Sequence, residues 1–182
     1  MWLLVFKSFY LILPAYLANM APVIFDKLGW FRSLARPVDG GRKIGRDFVF
    51  GRSKTWRGFV AGAIFGLVVS FIQYLLTVND FFASISLVDY QKDFLIFGVW
   101  AGLGAISGDL VKSFFKRRIS IKSGRSWPIF DQLDFIAGFF LFTYWLVKPD
   151  WEIIIAVCLL TLVLHPLTNV VSYFLGMKKV WW

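Results

Sequence analysis

Three aspartates and a set of lysines and arginines hold the chemistry available to this sequence. Asp131 and Asp134 stand just ahead of an apolar run, 135–147, that is only 13 residues long. Crossing a bilayer takes roughly 20 mainly apolar residues, so the helix that crosses here must include both carboxylates. Spaced three apart, they share one face near its end. Asp109, Lys112, Ser113 and Lys116 follow the i, i+3, i+4, i+7 spacing of a single helical face, with Arg117 alongside. Ionisable groups at such depth are costly, and are usually paired, metal-bound or functional. Asp109, Asp131 and Asp134 together read as a carboxylate cluster for a divalent cation, with Lys112, Lys116 and Arg117 for the phosphates that the cation bridges. Mg²⁺ suits such a set, because it prefers oxygen ligands and is commonly held by one or two carboxylates plus substrate phosphates. A plainer reading stands beside this one. Asp131 could cap its helix, both carboxylates favour the positive helix N-terminus, and Asp109 could form simple i,i+3 pairs with the lysines below it.

A second candidate lies in the first basic connection, in Pro37-Val38-Asp39-Gly40-Gly41-Arg42 and in Gly51-Arg52-Ser53-Lys54-Thr55-Trp56-Arg57-Gly58. Glycines let backbone N–H groups approach an anion, and Lys and Arg supply charge-assisted bonds to phosphate. The stretch is not a Walker A loop, which needs G-x-x-x-x-G-K-[ST]. A basic loop beside a membrane can also simply orient the protein or touch anionic lipid.

These groups need elements to carry them. Of the 182 residues, 58% are apolar and 17% charged, against about half and a quarter in a soluble domain. One all-α, polytopic membrane domain with five spans follows, at about 2–25, 59–78, 94–111, 130–147 and 153–175. Pro14 and Pro22 predict a kinked or irregular first span. Nine Lys/Arg fall in 26–57 and six in 112–125, with Lys178 and Lys179 in the tail. The other two connections carry only Lys92 and Lys148, beside several acids. Basic and poor segments alternate as five crossings require, so the positive-inside rule puts the N-terminus outside and the C-terminus in the cytoplasm. The basic loops 26–57 and 112–127, and every candidate above, then face the cytoplasm, where nucleotides are available. The net charge of +9 reflects that topology and calls for no nucleic acid. The start of the chain has no basic n-region or small-residue cleavage site and reads as a retained helix. Gly58, Gly62 and Gly66, then Gly98/Gly102 and Gly104/Gly108, predict close helix packing. Trp181 and Trp182 read as interfacial anchors, and the single Cys158 allows no internal disulfide. His165, with Pro166 and Asn169, reads as a hydrogen-bonded interior residue at a proline kink, and Asn19 likewise, although an intramembrane histidine could also mark a proton path.

Gly108-Asp109-Leu110-Val111-Lys112-Ser113-Phe114-Phe115-Lys116-Arg117 followed by Asp131-Gln132-Leu133-Asp134 resembles the signature of the integral-membrane CTP:phosphatidate cytidylyltransferases, the CDP-diacylglycerol synthases. Ser53-Lys54-Thr55-Trp56-Arg57-Gly58 resembles that family's Lys-Thr-Trp-Glu-Gly block. The small five-span size, the segment Leu13-Pro14-Ala15-Tyr16-Leu17-Ala18-Asn19-Met20-Ala21-Pro22 and Pro37-Val38-Asp39-Gly40-Gly41 look more specifically like the archaeal CDP-archaeol synthases. Arg57 in place of the usual Glu, and Gln132 between the aspartates, point to the same archaeal subgroup. The resemblance implies transfer of a cytidylyl group from CTP to an isoprenoid ether-lipid phosphate of the cell membrane, 2,3-bis-(O-geranylgeranyl)-sn-glycerol 1-phosphate, with pyrophosphate released. It implies Asp109, Lys116, Asp131 and Asp134 as catalytic, with Mg²⁺ on the three aspartates. Asp39, Arg42, Lys54, Thr55, Arg57, Lys112 and Arg117 would bind nucleotide. Two rivals make different demands: a CTP-dependent polyprenol kinase would transfer the γ-phosphoryl group, and a small-solute transporter subunit would line a path across the bilayer.

Overall fold

The computed structural model describes residues 2–122 and 125–176. The expected anchors Trp181 and Trp182, and Lys178 and Lys179, lie outside the described residues. Five helices are long and apolar enough to cross a membrane: α1 (Trp2–Leu28), α2 (Trp56–Leu76), α4 (Tyr90–Arg118), α5 (Phe130–Val147) and α6 (Trp151–Phe174). A six-residue helix, α3 (Asp80–Ile85), lies between α2 and α4 and is capped by the Asn79 side chain, which accepts from the Phe81 amide at 3.0 Å. Strands β1 (Lys43–Ile44) and β2 (Asp47–Phe48) pair antiparallel across Gly45-Arg46. Gly45 adopts φ +66°, the left-handed conformation that a two-residue hairpin turn requires.

One boundary differs from the sequence expectation. Residues 112–118, expected to open a loop, continue α4 to Arg118. Lys116, Arg117 and Arg118 fall in its last turn, where cations complement the partial negative charge of a helix C-terminus. Basic residues there extend the helix beyond its apolar segment. Helix α1 runs through Pro14 and Pro22 without a break in its assignment. Each proline removes one backbone donor, and packing holds the helix together across both. Pro14 is buried, and Pro22 lies against Gly58 of α2.

Glycines set the spacing of the bundle. A Cβ at Gly98 of α4 would sit 2.7 Å from Ser70 Cβ and 2.8 Å from Leu67 Cα of α2. One at Gly104 would sit 2.6 Å from the Gly138 carbonyl oxygen of α5, and one at Gly108 would run into the Asp134 carbonyl. Two backbone-to-backbone seams therefore sandwich α4 between α2 and α5, as small residues in membrane helices allow. Aromatic rings fill the rest of the core, with Tyr90, Phe97 and Phe139 stacked edge to face. A buried polar pair ties α1 to α2: Gln73 Nε2 donates to the Tyr10 carbonyl at 2.6 Å. Helix α6 contains no glycine and is the least buried of the five.

Candidate active site

The Gly104–Gly108 seam brings the end of α4 against the start of α5, and so brings three carboxylates together. Asp109 projects from α4, Asp131 and Asp134 from the first two turns of α5. Lys112 Nζ lies between them, 3.0 Å from Asp109 Oδ1, 3.0 Å from Asp131 Oδ1 and 2.6 Å from Asp134 Oδ2. Lys54, from the residue pair preceding α2, forms an ion pair with the other oxygen of Asp109. Lys116 Nζ lies 3.0 Å and 3.1 Å from the two Asp131 oxygens and 2.6 Å from the Arg125 carbonyl. Three carboxylates thus face three ammonium groups. The Asp134 side chain is only 5% exposed and that of Lys112 13%, so each charge depends on the others for compensation.

The cluster forms one wall of a cleft of about 940 Å³. Of the residues expected in the site, Lys54, Thr55, Arg57, Asp109, Lys112, Lys116, Arg117, Asp131 and Asp134 all line it. Thr55 also caps α2, its hydroxyl accepting from the Gly58 amide at 3.4 Å. Arg57 pairs with Asp26 at the end of α1. Arg117 donates to the Ile121 carbonyl and holds the chain leaving α4. Asp39 and Arg42 do not line the cleft. Asp39 instead accepts from the Gly41 amide at 2.8 Å and the Phe50 amide at 3.0 Å, which shapes the loop, and Arg42 is exposed.

Capping accounts for little of this arrangement. The residue preceding α5 is Ile129, which offers no side-chain cap. Asp131 reaches back to the Trp127 amide at 2.5 Å, fastening the 125–129 segment to α5. Asp134 accepts from the Phe135 amide at 2.6 Å and turns its second oxygen to Lys112. Among the described residues, no three His, Cys, Asp or Glu are placed so as to hold a metal ion as they stand; the Lys112 ammonium lies between the three carboxylates. An oxygen-only donor set that already surrounds a cation fits Mg²⁺ in chemistry and charge, with Lys112 withdrawn.

Arg52 of the second candidate stretch lines the cleft too, and so do residues given no role in the sequence reading: Asn19, Pro22 and Asp26 of α1, Arg125 after α4, and His165, Pro166 and Asn169 of α6. Their signal in the sequence was weak, since a polar residue inside an apolar span does not say which neighbour it faces.

Comparison with known proteins adds to this geometry. All of residues 1–182 match the family model for CarS-like CDP-archaeol synthases. The chain is 38% identical over 184 residues to the CDP-archaeol synthase of Methanocaldococcus jannaschii, covering 98% of each chain. With that of Methanosarcina barkeri the identity is 38% over 183 residues, covering 93% of this chain and 99% of the relative. A solved structure described as "Structural insight into an intramembrane enzyme for archaeal membrane lipids biosynthesis" superposes with a TM-score of 0.71 at 29% identity, over 89% of this chain and 92% of that one.

Proposed function

The chain belongs to the CDP-archaeol synthase family and is a membrane cytidylyltransferase of archaeal lipid synthesis; from that premise we propose how the cleft performs the transfer. CTP and 2,3-bis-(O-geranylgeranyl)-sn-glycerol 1-phosphate meet at the cluster of Asp109, Asp131 and Asp134. The observation that carries this reading is Lys112 Nζ within 3.0 Å of all three carboxylates at the wall of the cleft.

The lipid phosphate oxygen attacks the α-phosphorus of CTP, the bond from that phosphorus to the bridging oxygen breaks, and pyrophosphate leaves. A phosphate monoester is already an anion, so the step asks for alignment and charge neutralisation and no general base. Lys54, Lys112 and Lys116 reach the cluster from three directions, and turn from the carboxylates to the incoming phosphates. Arg117 and Arg57 add positive charge at the walls, while Thr55 fixes the start of α2 behind Lys54. Asp39 acts on nucleotide through the shape of the loop, with Arg42 on its outer side. Asp109, Asp131 and Asp134 would hold Mg²⁺, which supplies Lewis-acid polarisation of the phosphoryl oxygens when bound.

The cleft faces the cytoplasm, with the N-terminus outside and the C-terminus inside. Supporting this are two basic stretches, 26–57 and 112–125, which carry most of the Lys and Arg and from which Arg52, Lys54, Arg57, Lys112, Lys116, Arg117 and Arg125 line the cleft. The test is mass analysis of the product from purified protein, CTP, Mg²⁺ and a panel of lipid phosphates. CTP labelled at the α-phosphorus should pass its label to lipid; transfer of γ-label instead would identify a kinase and overturn the assignment of the cleft.

A further inference from the structure

The last turn of α4 presents Lys116, Arg117 and Arg118 in succession, and they do not share a role. Lys116 and Arg117 line the cleft; Arg118 does not. Asp109 and Arg118 are separated by roughly two and a half turns of helix, so Arg118 leaves α4 on the side away from the carboxylates. A cation in a last turn often does no more than complement the helix dipole from solvent. Arg118 does more. Its Nη2 donates to the Phe48 carbonyl of β2 at 2.9 Å, its guanidinium lies 5.1 Å from the centre of the Phe114 ring, and its Nε is buried.

That bond ends on a loop braced internally as far as Lys54. The Val49 amide donates to the Arg42 carbonyl at 3.0 Å, the Phe50 amide to Asp39 at 3.0 Å, and the Lys54 amide to the Gly51 carbonyl at 3.1 Å. Lys43 and Arg52 stand over the Phe48 ring, 5.2 Å and 5.0 Å from its centre, and Phe50 packs on Phe114 with ring centres 6.2 Å apart. The chain from Phe48 to Lys54 is thus one braced unit tied to α4 at both ends. One tie is the Lys54 ion pair with Asp109, on the cluster side. The other is Arg118 with Phe114, on the far side. A loop that straddles a helix and is fixed on both sides cannot turn about either tie. A lysine side chain is flexible, so its base must be held for its ammonium to keep one place.

We propose that Arg118 is a positioning residue for the nucleotide: by clamping Phe48 to the far side of α4, it fixes the reach of Lys54 toward the phosphates of CTP. The proposal rests on the reading of Lys54 given above. Without the clamp the loop swings about its remaining tie, and Lys54 meets the phosphates from a shifting base, although no group in the cleft has changed. Lysine at this position would keep the charge and a donor. It would lose the planar fork that bonds the carbonyl while lying on the Phe114 ring, so the geometry asks for arginine.

The test is a double-mutant cycle on the full-length enzyme in detergent, reading kcat and the KM for each substrate. Arg118→Ala is expected to raise KM for CTP about three- to tenfold, the scale of one hydrogen bond. The kcat and the KM for lipid phosphate stay within about twofold of wild type, and Arg118→Lys recovers part of the loss. Because Arg118 acts through Lys54, its effect disappears once Lys54 is gone: Lys54→Ala with Arg118→Ala has the CTP KM of Lys54→Ala alone, within about twofold. Factors that multiply in the double variant would overturn the clamp. So would a CTP KM unmoved by Arg118→Ala, or losses shared equally by both substrates, which mark general damage. Should Arg118→Ala fail to fold, read as its thermal midpoint, Arg118→Gln retains an amide donor and carries the same cycle. A Lys54→Ala enzyme with wild-type KM for CTP would overturn the reading of Lys54 itself, a result obtained without any change at Arg118.

Discussion

Gly108→Ala tests whether the glycine seam positions the reaction as well as the helices. The added Cβ would run into the Asp134 carbonyl oxygen, lie 2.8 Å from its carbon and 3.1 Å from the Gly138 nitrogen. Carbon atoms pack at about 3.5–4.0 Å, so α5 must retreat by at least about 0.7 Å. Overpacking of this kind costs about 1–3 kcal/mol of stability. Its second effect falls on chemistry, because Asp109 neighbours the substitution and the Asp134 backbone is what it displaces. A misplacement of about 1 Å in an aligned site costs on the order of 10²-fold in rate. Gly98→Ala is the control on the same helix. Its Cβ would sit 2.7 Å from Ser70 Cβ and 2.8 Å from Leu67 Cα, a comparable clash, yet Gly98 is about 16 Å of helix away from Asp109. Both variants should lower the thermal midpoint by a similar amount, read by intrinsic tryptophan fluorescence. Only Gly108→Ala should lose turnover by about 10²-fold, followed as label passing from CTP to lipid. A folded Gly108→Ala enzyme within threefold of wild-type turnover would refute the positioning role, and so would an equal loss in Gly98→Ala.

Three further outcomes follow from the cluster. Asp131→Asn and Asp134→Asn should each reduce turnover by roughly 10²-fold or more while the protein stays folded, since removing aimed charge stabilisation costs on that scale; near-normal rates would return both residues to a capping role, which Asn fills comparably. EDTA should abolish activity and Mg²⁺ restore it, with Mn²⁺ an adequate substitute and Ca²⁺ a poor one because it accepts looser, higher coordination; full activity in excess EDTA would remove the aspartates from metal binding. Lys54→Ala should weaken CTP by roughly 10- to 150-fold, the worth of a charge-assisted phosphate contact of about 1.5–3 kcal/mol, whereas Lys27→Ala in the same connection should be nearly silent; equal small effects in a CTP titration would mean that the loop only orients the protein.

The carboxylate cluster was legible because of a length mismatch. Thirteen apolar residues after Asp134 cannot cross a bilayer, so Asp131 and Asp134 had to belong to the helix, and the spacing of Asp109, Lys112 and Lys116 put a matching face on its neighbour. The glycine repeats announced close packing but not its partners. Pairing Gly98 with α2 and Gly108 with α5 needs three dimensions. The end of α4 was hidden for a different reason: a dense basic stretch reads as solvated loop, although the same charges favour a helix C-terminus. Asn19, His165 and Asn169 were visible only singly. Their common cleft arises from two helices more than a hundred residues apart in sequence, and no local pattern encodes that meeting.

The first basic loop shows how hydrogen bonding distinguishes residues that share one motif. Asp39, Thr55 and Lys54 all sit in glycine-rich surroundings suited to phosphate, and their types do not separate them. Their hydrogen bonds do. Both Asp39 oxygens are engaged by the amides of Gly41 and Phe50, and the Thr55 hydroxyl is engaged at the start of α2. These bonds brace the loop and the start of α2 on either side of Lys54. The Val38 amide donates to the Lys54 carbonyl at 2.9 Å, and the Trp56 amide donates to the Arg36 carbonyl at 3.1 Å. Backbone is therefore fixed on both sides of Lys54, which lets a long, flexible side chain reach Asp109 at little further cost in chain entropy. In the proposed reaction, a lysine held in this way would meet a phosphate from a fixed base, as alignment of two reactants requires. In that reading the glycines and the aspartate would act through the backbone, and the charge through the Lys54 side chain that the backbone presents.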